Sequence, residues 1–128
     1  MDEYMQIAVE EAKAALAEGN YPYGSVLVRN GAIIGTGRNH VNTHNDPTSH
    51  AEMESIRAAG LQTTYADTVI YASAFPCIMC AGPLVFLGVS EVIAGASWDG
   101  HEVSRAFLES HGVKTTILEL EECIALIT

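Results

Sequence analysis

Positive charge is scarce in this chain. Six Lys and Arg residues stand against sixteen Asp and Glu, a formal net charge of −10 over 128 residues. The six (Lys13, Arg29, Arg38, Arg57, Arg105 and Lys114) are scattered singly. A protein that grips a phosphate backbone needs clustered cations. The expectation is therefore no nucleic-acid partner and a small, neutral substrate. No apolar run approaches the roughly 20 residues a membrane helix requires, which argues against a membrane partner. The opening Met1-Asp2-Glu3-Tyr4 is acidic and lacks the basic segment of a secretory leader. Three cysteines are too few for a disulfide framework and fit a reducing, cytoplasmic setting. Internal repeats, low-complexity stretches and linkers are also missing.

What is present is apolar residue content, 48% of the chain, spread along its length. That is enough for one folded domain over 1–128. Met5, Ala8, Val9, Ala12, Ala15 and Leu16 recur at helical spacing over 3–18, and Gly19-Asn20 stops the pattern. Tyr21-Pro22-Tyr23-Gly24 reads as a connecting turn. Two strands, 25–29 and 32–38, flank Asn30-Gly31, a type I′ hairpin signal. A polar loop, 39–48, suits an active-site wall. Asp46-Pro47-Thr48-Ser49 opens a second helix that ends at Ala59, before Gly60. The spacing then predicts a strand over 67–73 and a helix from Pro76 to Leu87, kinked at Pro83. Beyond these come a strand over 91–94, a helix over 103–111, a strand over 114–118 and a last helix from Glu119. Helices alternating with strands indicate an α/β layered domain.

Two short segments carry chemistry. Ser49-His50-Ala51-Glu52 supplies an imidazole and a carboxylate, and Pro76-Cys77-Ile78-Met79-Cys80 supplies two thiols. Cys77 and Cys80, three apart, share one face of a first helical turn, where the helix dipole favours thiolate. One imidazole and two thiolates make three zinc ligands and leave a coordination position open, as a catalytic site requires. His50 and Glu52 would point opposite ways on a regular helix. Both face one metal only if His50 lies in an irregular first turn, and the Pro47-Thr48-Ser49 entry permits that. The alternative is a structural zinc module, for which Cys123, His101 or His111 would be the fourth ligand; none lies at a knuckle-like spacing. Cys123 otherwise reads as a small buried hydrophobe. Trp98, after a strand end, is either core or pocket. Helix 76–87 is apolar nearly all round, more than one sheet face covers, which points to a homodimer or higher homo-oligomer.

The pattern His-Ala-Glu followed by Pro-Cys-x-x-Cys resembles the zinc-dependent cytidine and nucleobase deaminase superfamily. The resemblance runs from residue 3 to about 126. It implies a three-layer α/β/α sandwich around a mixed five-stranded sheet and one Zn2+ per subunit held by His50, Cys77 and Cys80. It implies Glu52 as the proton carrier, Asn39 as holder of the substrate ring, and the backbone amide of Ala51 as a contact to the base carbonyl. Asn45 to Glu52 resembles the branch that holds transfer-RNA adenosine deaminases, guanine deaminases and cytosine deaminases. The C-terminal third, from Phe107 to Val113 and from Glu119 to Ile127, resembles the small cytosine deaminases. Phe75 departs from the Ser of cytosine deaminases and the Glu of adenosine editors, and no long acidic and aromatic tail follows Thr128. The expectation is hydrolysis of cytosine to uracil and ammonia. The alternatives are guanine, isocytosine or a creatinine-like ring, then adenosine in transfer RNA.

Overall fold

The structure, a computed structural model, describes residues 2–128. Its centre is one sheet with strand order β2-β1-β3-β4-β5. The chain begins with α1 (Glu3–Ala17), whose first turn is capped by the Asp2 carboxylate accepting from the Tyr4 amide at 2.8 Å. Then β1 (Gly24–Arg29) and β2 (Ala32–Arg38) pair antiparallel. Asn30 and Gly31 between them both have positive φ, 48° and 79°, as a type I′ turn demands.

After the 39–50 loop come α2 (Ala51–Ala59), β3 (Thr68–Ala72), α3 (Ile78–Leu87), β4 (Glu91–Ala94), α4 (His101–Ser110), β5 (Lys114–Ile117) and α5 (Glu121–Ile127). β3 runs antiparallel to β1, whereas β3-β4 and β4-β5 are parallel. The mixed five-stranded sheet with five helices is the expected α/β/α architecture.

Strand alternation divides the core in two. Val26 and Val28 point to the layer where Met5, Ala8 and Val9 of α1 meet Cys123 of α5. Leu27, Ile70, Val92 and Ala94 point the other way, to Ala81 and Leu84 of α3 and Leu108 of α4. Cys123 is fully buried in the first layer, as its apolar surroundings predict.

Four helix starts differ from expectation: α4 begins at His101 rather than Val103, and the other three differ for a local reason. α2 begins at Ala51 rather than in the Asp46–Ser49 stretch. Asp46 Oδ1 accepts from the Thr48 amide and hydroxyl, at 2.8 and 2.7 Å, and this turn competes with helix. α3 begins at Ile78, because Cys77 is extended at the cap position. α5 waits until Glu121, since Glu119 has φ 53°. Pro83 does not end α3, which continues to Leu87; the missing bond is to Met79, in the first turn, so most of the ladder is kept.

Close approach fixes α2 on the sheet. A Cβ at Gly37 would fall on the Ala51 carbonyl oxygen, and one at Gly35 on that of Ser55. The Ser25 and Ser55 hydroxyls, 2.5 Å apart and buried, pin the same contact from β1. A Gly37→Ala variant must push α2 off β2. We expect it to lose at least about 3 kcal/mol of stability, measured by urea denaturation. Wild-type stability would mean the helix is not held by this contact.

Candidate metal centre and pocket

Two helix N-termini converge at one end of the sheet. His50 is the residue before α2, with φ −77° and ψ 157°. This extended backbone is what lets His50 and Glu52 turn to the same side. Cys77 holds the equivalent place before α3, and Cys80 lies in that helix's first turn. The loop before His50 is tied down by the His40 amide donating to the Ser49 carbonyl at 2.9 Å.

The His50 Nδ1 atom lies 3.5 Å from the sulfur of Cys77 and 3.5 Å from that of Cys80. One nitrogen and two sulfurs all fall within 4.8 Å of one another. With Zn–S near 2.3 Å and Zn–N near 2.0 Å, a tetrahedral ion separates its nitrogen and sulfur ligands by roughly 3.5 Å. Both nitrogen–sulfur separations therefore match the spacing that zinc requires. Among the described residues no fourth His, Cys or carboxylate joins the group, so the structural-module reading lacks its ligand. His101 bonds the Trp98 carbonyl at 2.9 Å and His111 the Phe107 carbonyl at 2.9 Å. Cys123 is in the opposite layer.

The thiols are poised for a cation. Cys77 is held down to about 5 by a hydrogen bond from the Cys80 thiol, helped by the amides of Cys80 and Met79, against the opposing effect of burial. Cys80 is raised by the same shared proton and by burial. Two thiols this close ionise together only with a cation between them. Glu52 is 6% exposed, and burial pushes its carboxyl up to about 7; a dication in the neighbouring donor set acts the other way.

A cavity of about 380 Å³ opens over these groups, lined by Tyr21, Tyr23, Asn39, Val41, Pro47, His50, Glu52, Ala74, Phe75, Cys77 and Trp98. Five of the seven residues singled out from sequence therefore share one wall: His50, Glu52, Cys77, Asn39 and Trp98. Cys80 is buried beneath it. Ala51 is also buried, and as the first residue of α2 its N–H has no partner within the helix. Asn39 Oδ1 accepts from the Val41 amide at 3.0 Å, and the Asn39 amide donates to the Tyr23 carbonyl at 3.0 Å. Trp98 Nε1 donates to the Phe75 carbonyl at 2.7 Å, which ties the two aromatic walls together.

Sequence reading passed over Tyr21 and Tyr23 as a turn. Two aromatics flanking Pro22, directly before the first core strand, were the available signal. A tight turn about Pro22, closed by the Tyr23 amide on the Tyr21 carbonyl, carries both residues, and both line the cavity.

Residues 1–96 match the family described as the cytidine and deoxycytidylate deaminase zinc-binding region. The tRNA-specific adenosine deaminase of Aquifex aeolicus is 38% identical over 96 residues, covering 73% of this chain and 64% of that protein. That of Buchnera aphidicola is 37% identical over 98 residues, covering 74% and 65%. The chain thus spans less than two thirds of the length of these relatives. A solved structure from studies of A-to-I editing by tRNA:A34 deaminases superposes with TM-score 0.81 at 27% identity, over 90% of this chain and 96% of that one. The guanine deaminase of Nitrosomonas europaea superposes with TM-score 0.79 at 23% identity, over 96% and 80%, which speaks to the fold alone.

Two expectations are corrected by these findings. The free-base cytosine reading gives way, because the matched relatives at 36–38% identity act on adenosine in tRNA. It leaned on the C-terminal third, whereas the match covers the residues that build the site. The exclusion of nucleic acid falls with it. Net charge weighs only how phosphates are held, and it says nothing about which base enters the pocket. No helix of the described residues is long and apolar enough to cross a membrane. The convergent donors and the match over residues 1–96 place this chain in the cytidine and deoxycytidylate deaminase zinc-binding family.

Proposed function

We propose that the chain is a hydrolytic deaminase of adenine within RNA, with transfer RNA as the substrate class. The observation that carries this reading is the 36–38% identity to tRNA-specific adenosine deaminases across the segment that holds every donor and most of the cavity wall.

His50, Cys77 and Cys80 would hold the zinc ion, which supplies the Lewis acidity that makes water a competent nucleophile near neutral pH. The reaction adds water across the ring carbon that bears the exocyclic amine and expels ammonia, leaving a carbonyl. Glu52, in reach of this centre but outside the donor set, takes the water proton. It hands that proton to the adjacent ring nitrogen, then takes the remaining proton of the added hydroxyl and delivers it to the amine, which departs as ammonia and leaves the carbonyl. Asn39, fixed through its Oδ1 and backbone, offers its side-chain NH2 to the ring. The first amide of α2, on Ala51, points as a free donor from a helix N-terminus. Phe75 and Trp98 form an apolar wall that excludes bulk water.

A screen of ammonia release tests this reading. Adenine in a tRNA transcript is expected to turn over at least about 100-fold more efficiently than free cytosine, guanine or creatinine. A free ring that outruns the transcript would overturn the substrate assignment while leaving the chemistry intact.

The same reading extends to assembly. Outer α3 residues are uncovered, with Phe86 88% exposed and Ile78 also exposed, and Leu61 stands beside Phe86 across a shallow groove. An apolar patch of this kind fits a second copy of the chain. Light scattering at micromolar concentration is expected to give a dimer mass; a monomer mass with full activity would contradict it.

A further inference from the structure

Each basic side chain of this protein is already engaged within it. Lys13 pairs with Glu122 at 2.6 Å, Arg38 with Glu11 and Glu18 at 2.9 and 2.8 Å, and Lys114 with Glu91 at 3.8 Å. Arg57 pairs with Glu54, and Arg105 with Glu109 at 3.6 Å. Arg29 donates to Gln62 at 2.8 Å and to the Thr64 carbonyl. No residue lining the cavity is Lys or Arg. A strand of RNA therefore finds little phosphate-binding charge at the mouth.

It finds aromatic surface instead. Tyr21 lines the cavity and yet is 53% exposed, which places its ring at the rim. Tyr23, two residues on, is more covered and lines the same cavity as Glu52 and Cys77. The segment is held stiffly. The buried Asn20 side chain accepts from the amides of Asn42 and Thr43 at 3.0 and 3.1 Å, joining this segment to the 39–48 loop. The Tyr23 amide donates to the Tyr21 carbonyl at 2.9 Å, and the Gly24 amide to Ser73 Oγ at 3.0 Å. An exposed ring on a fixed backbone loses little entropy when a base stacks on it.

We propose that Tyr21 is a stacking platform for the nucleotide next to the target base, and that this chain holds single-stranded RNA by stacking rather than by phosphate neutralisation. The proposal rests on the adenine-in-RNA reading above and adds to it a second subsite. Base–aromatic stacking tolerates sequence because every base has a π-face, so the platform selects an unpaired, splayed strand over a duplex.

The test uses an unstructured RNA oligonucleotide in which 2-aminopurine stands beside one adenine. The zinc-loaded wild type is expected to quench its fluorescence on binding. Tyr21→Ala is expected to weaken binding by about 10- to 100-fold, and Tyr21→Trp to restore it. With an abasic residue in place of the 2-aminopurine, followed by competition, Tyr21→Ala should cost nothing further. The slope of log affinity against log salt should stay near that of one or two released counterions. Equal losses on the intact and abasic strands, wild-type binding by Tyr21→Ala, no binding at all, or a slope worth six phosphates would each overturn the platform. Deamination of the same strand is scored separately. Stacking without deamination leaves the platform standing and removes the adenine reading. Deamination with a fully competent Tyr21→Ala does the reverse.

Discussion

Glu52→Gln is expected to keep one zinc per chain and to lose turnover by on the order of 10⁴-fold. The amide is isosteric, so it fills the same buried slot beside the donors. It cannot accept a proton from water or return one to the leaving amine. Stability offers a second readout. Burying a carboxyl without a cation is costly, which is why its pKa rises to about 7. A neutral amide avoids that cost, so the metal-free variant should be no less stable than the metal-free wild type. Zinc by atomic absorption, thermal unfolding and ammonia release give the three values. Loss of metal in Glu52→Gln would make the residue a ligand and undo the assignment.

Cys77→Ala and Cys80→Ala are expected to behave in the opposite way. Each removes one of three donors that lie within 4.8 Å of one another. Zinc affinity should fall by more than about 100-fold, beyond what losing an outer-sphere partner costs. Because metal binding is linked to folding, stability should fall with it, close to that of wild type stripped by a chelator. The two cysteines should then part in degree. Cys80 is fully buried in the first turn of α3, whereas Cys77 faces the cavity. Cys80→Ala leaves a void as well as a vacant ligand position, so it should be the less stable of the pair. Full zinc occupancy in either variant would contradict the ligand set.

Most of the scaffold was legible because its signals are local and redundant. Asn30-Gly31 sets a turn that only positive φ satisfies, and α1 buries Met5, Ala8, Val9, Ala12 and Ala15 of its stripe, leaving Leu16 exposed. The metal donors were legible because spacing and residue type leave few alternatives. Helix starts were read less well. Whether Asp46 opens a helix or an Asx turn depends on which backbone groups the rest of the fold leaves free. The role of Gly35 and Gly37 was invisible for a different reason. Their need arises from α2 lying across β2, a contact between segments apart in the chain. Tyr21 and Tyr23 were missed since an aromatic beside Pro reads as turn punctuation until the cavity is seen. Substrate was misread because the C-terminal third and the charge balance were given the weight, while the cavity wall carries no charge except Glu52 and the donors.

The most direct measurement is made on a tRNA transcript with the zinc-loaded wild type in heavy-oxygen water. Nucleosides are released afterwards and weighed by mass spectrometry. Zinc-dependent hydrolysis at an adenine predicts inosine that carries the heavy oxygen, with ammonia in equal amount, both lost on chelation and restored by added zinc. Unchanged adenosine alongside ammonia released from a free heterocycle would contradict the account, as would inosine formed at the same rate after the metal is removed.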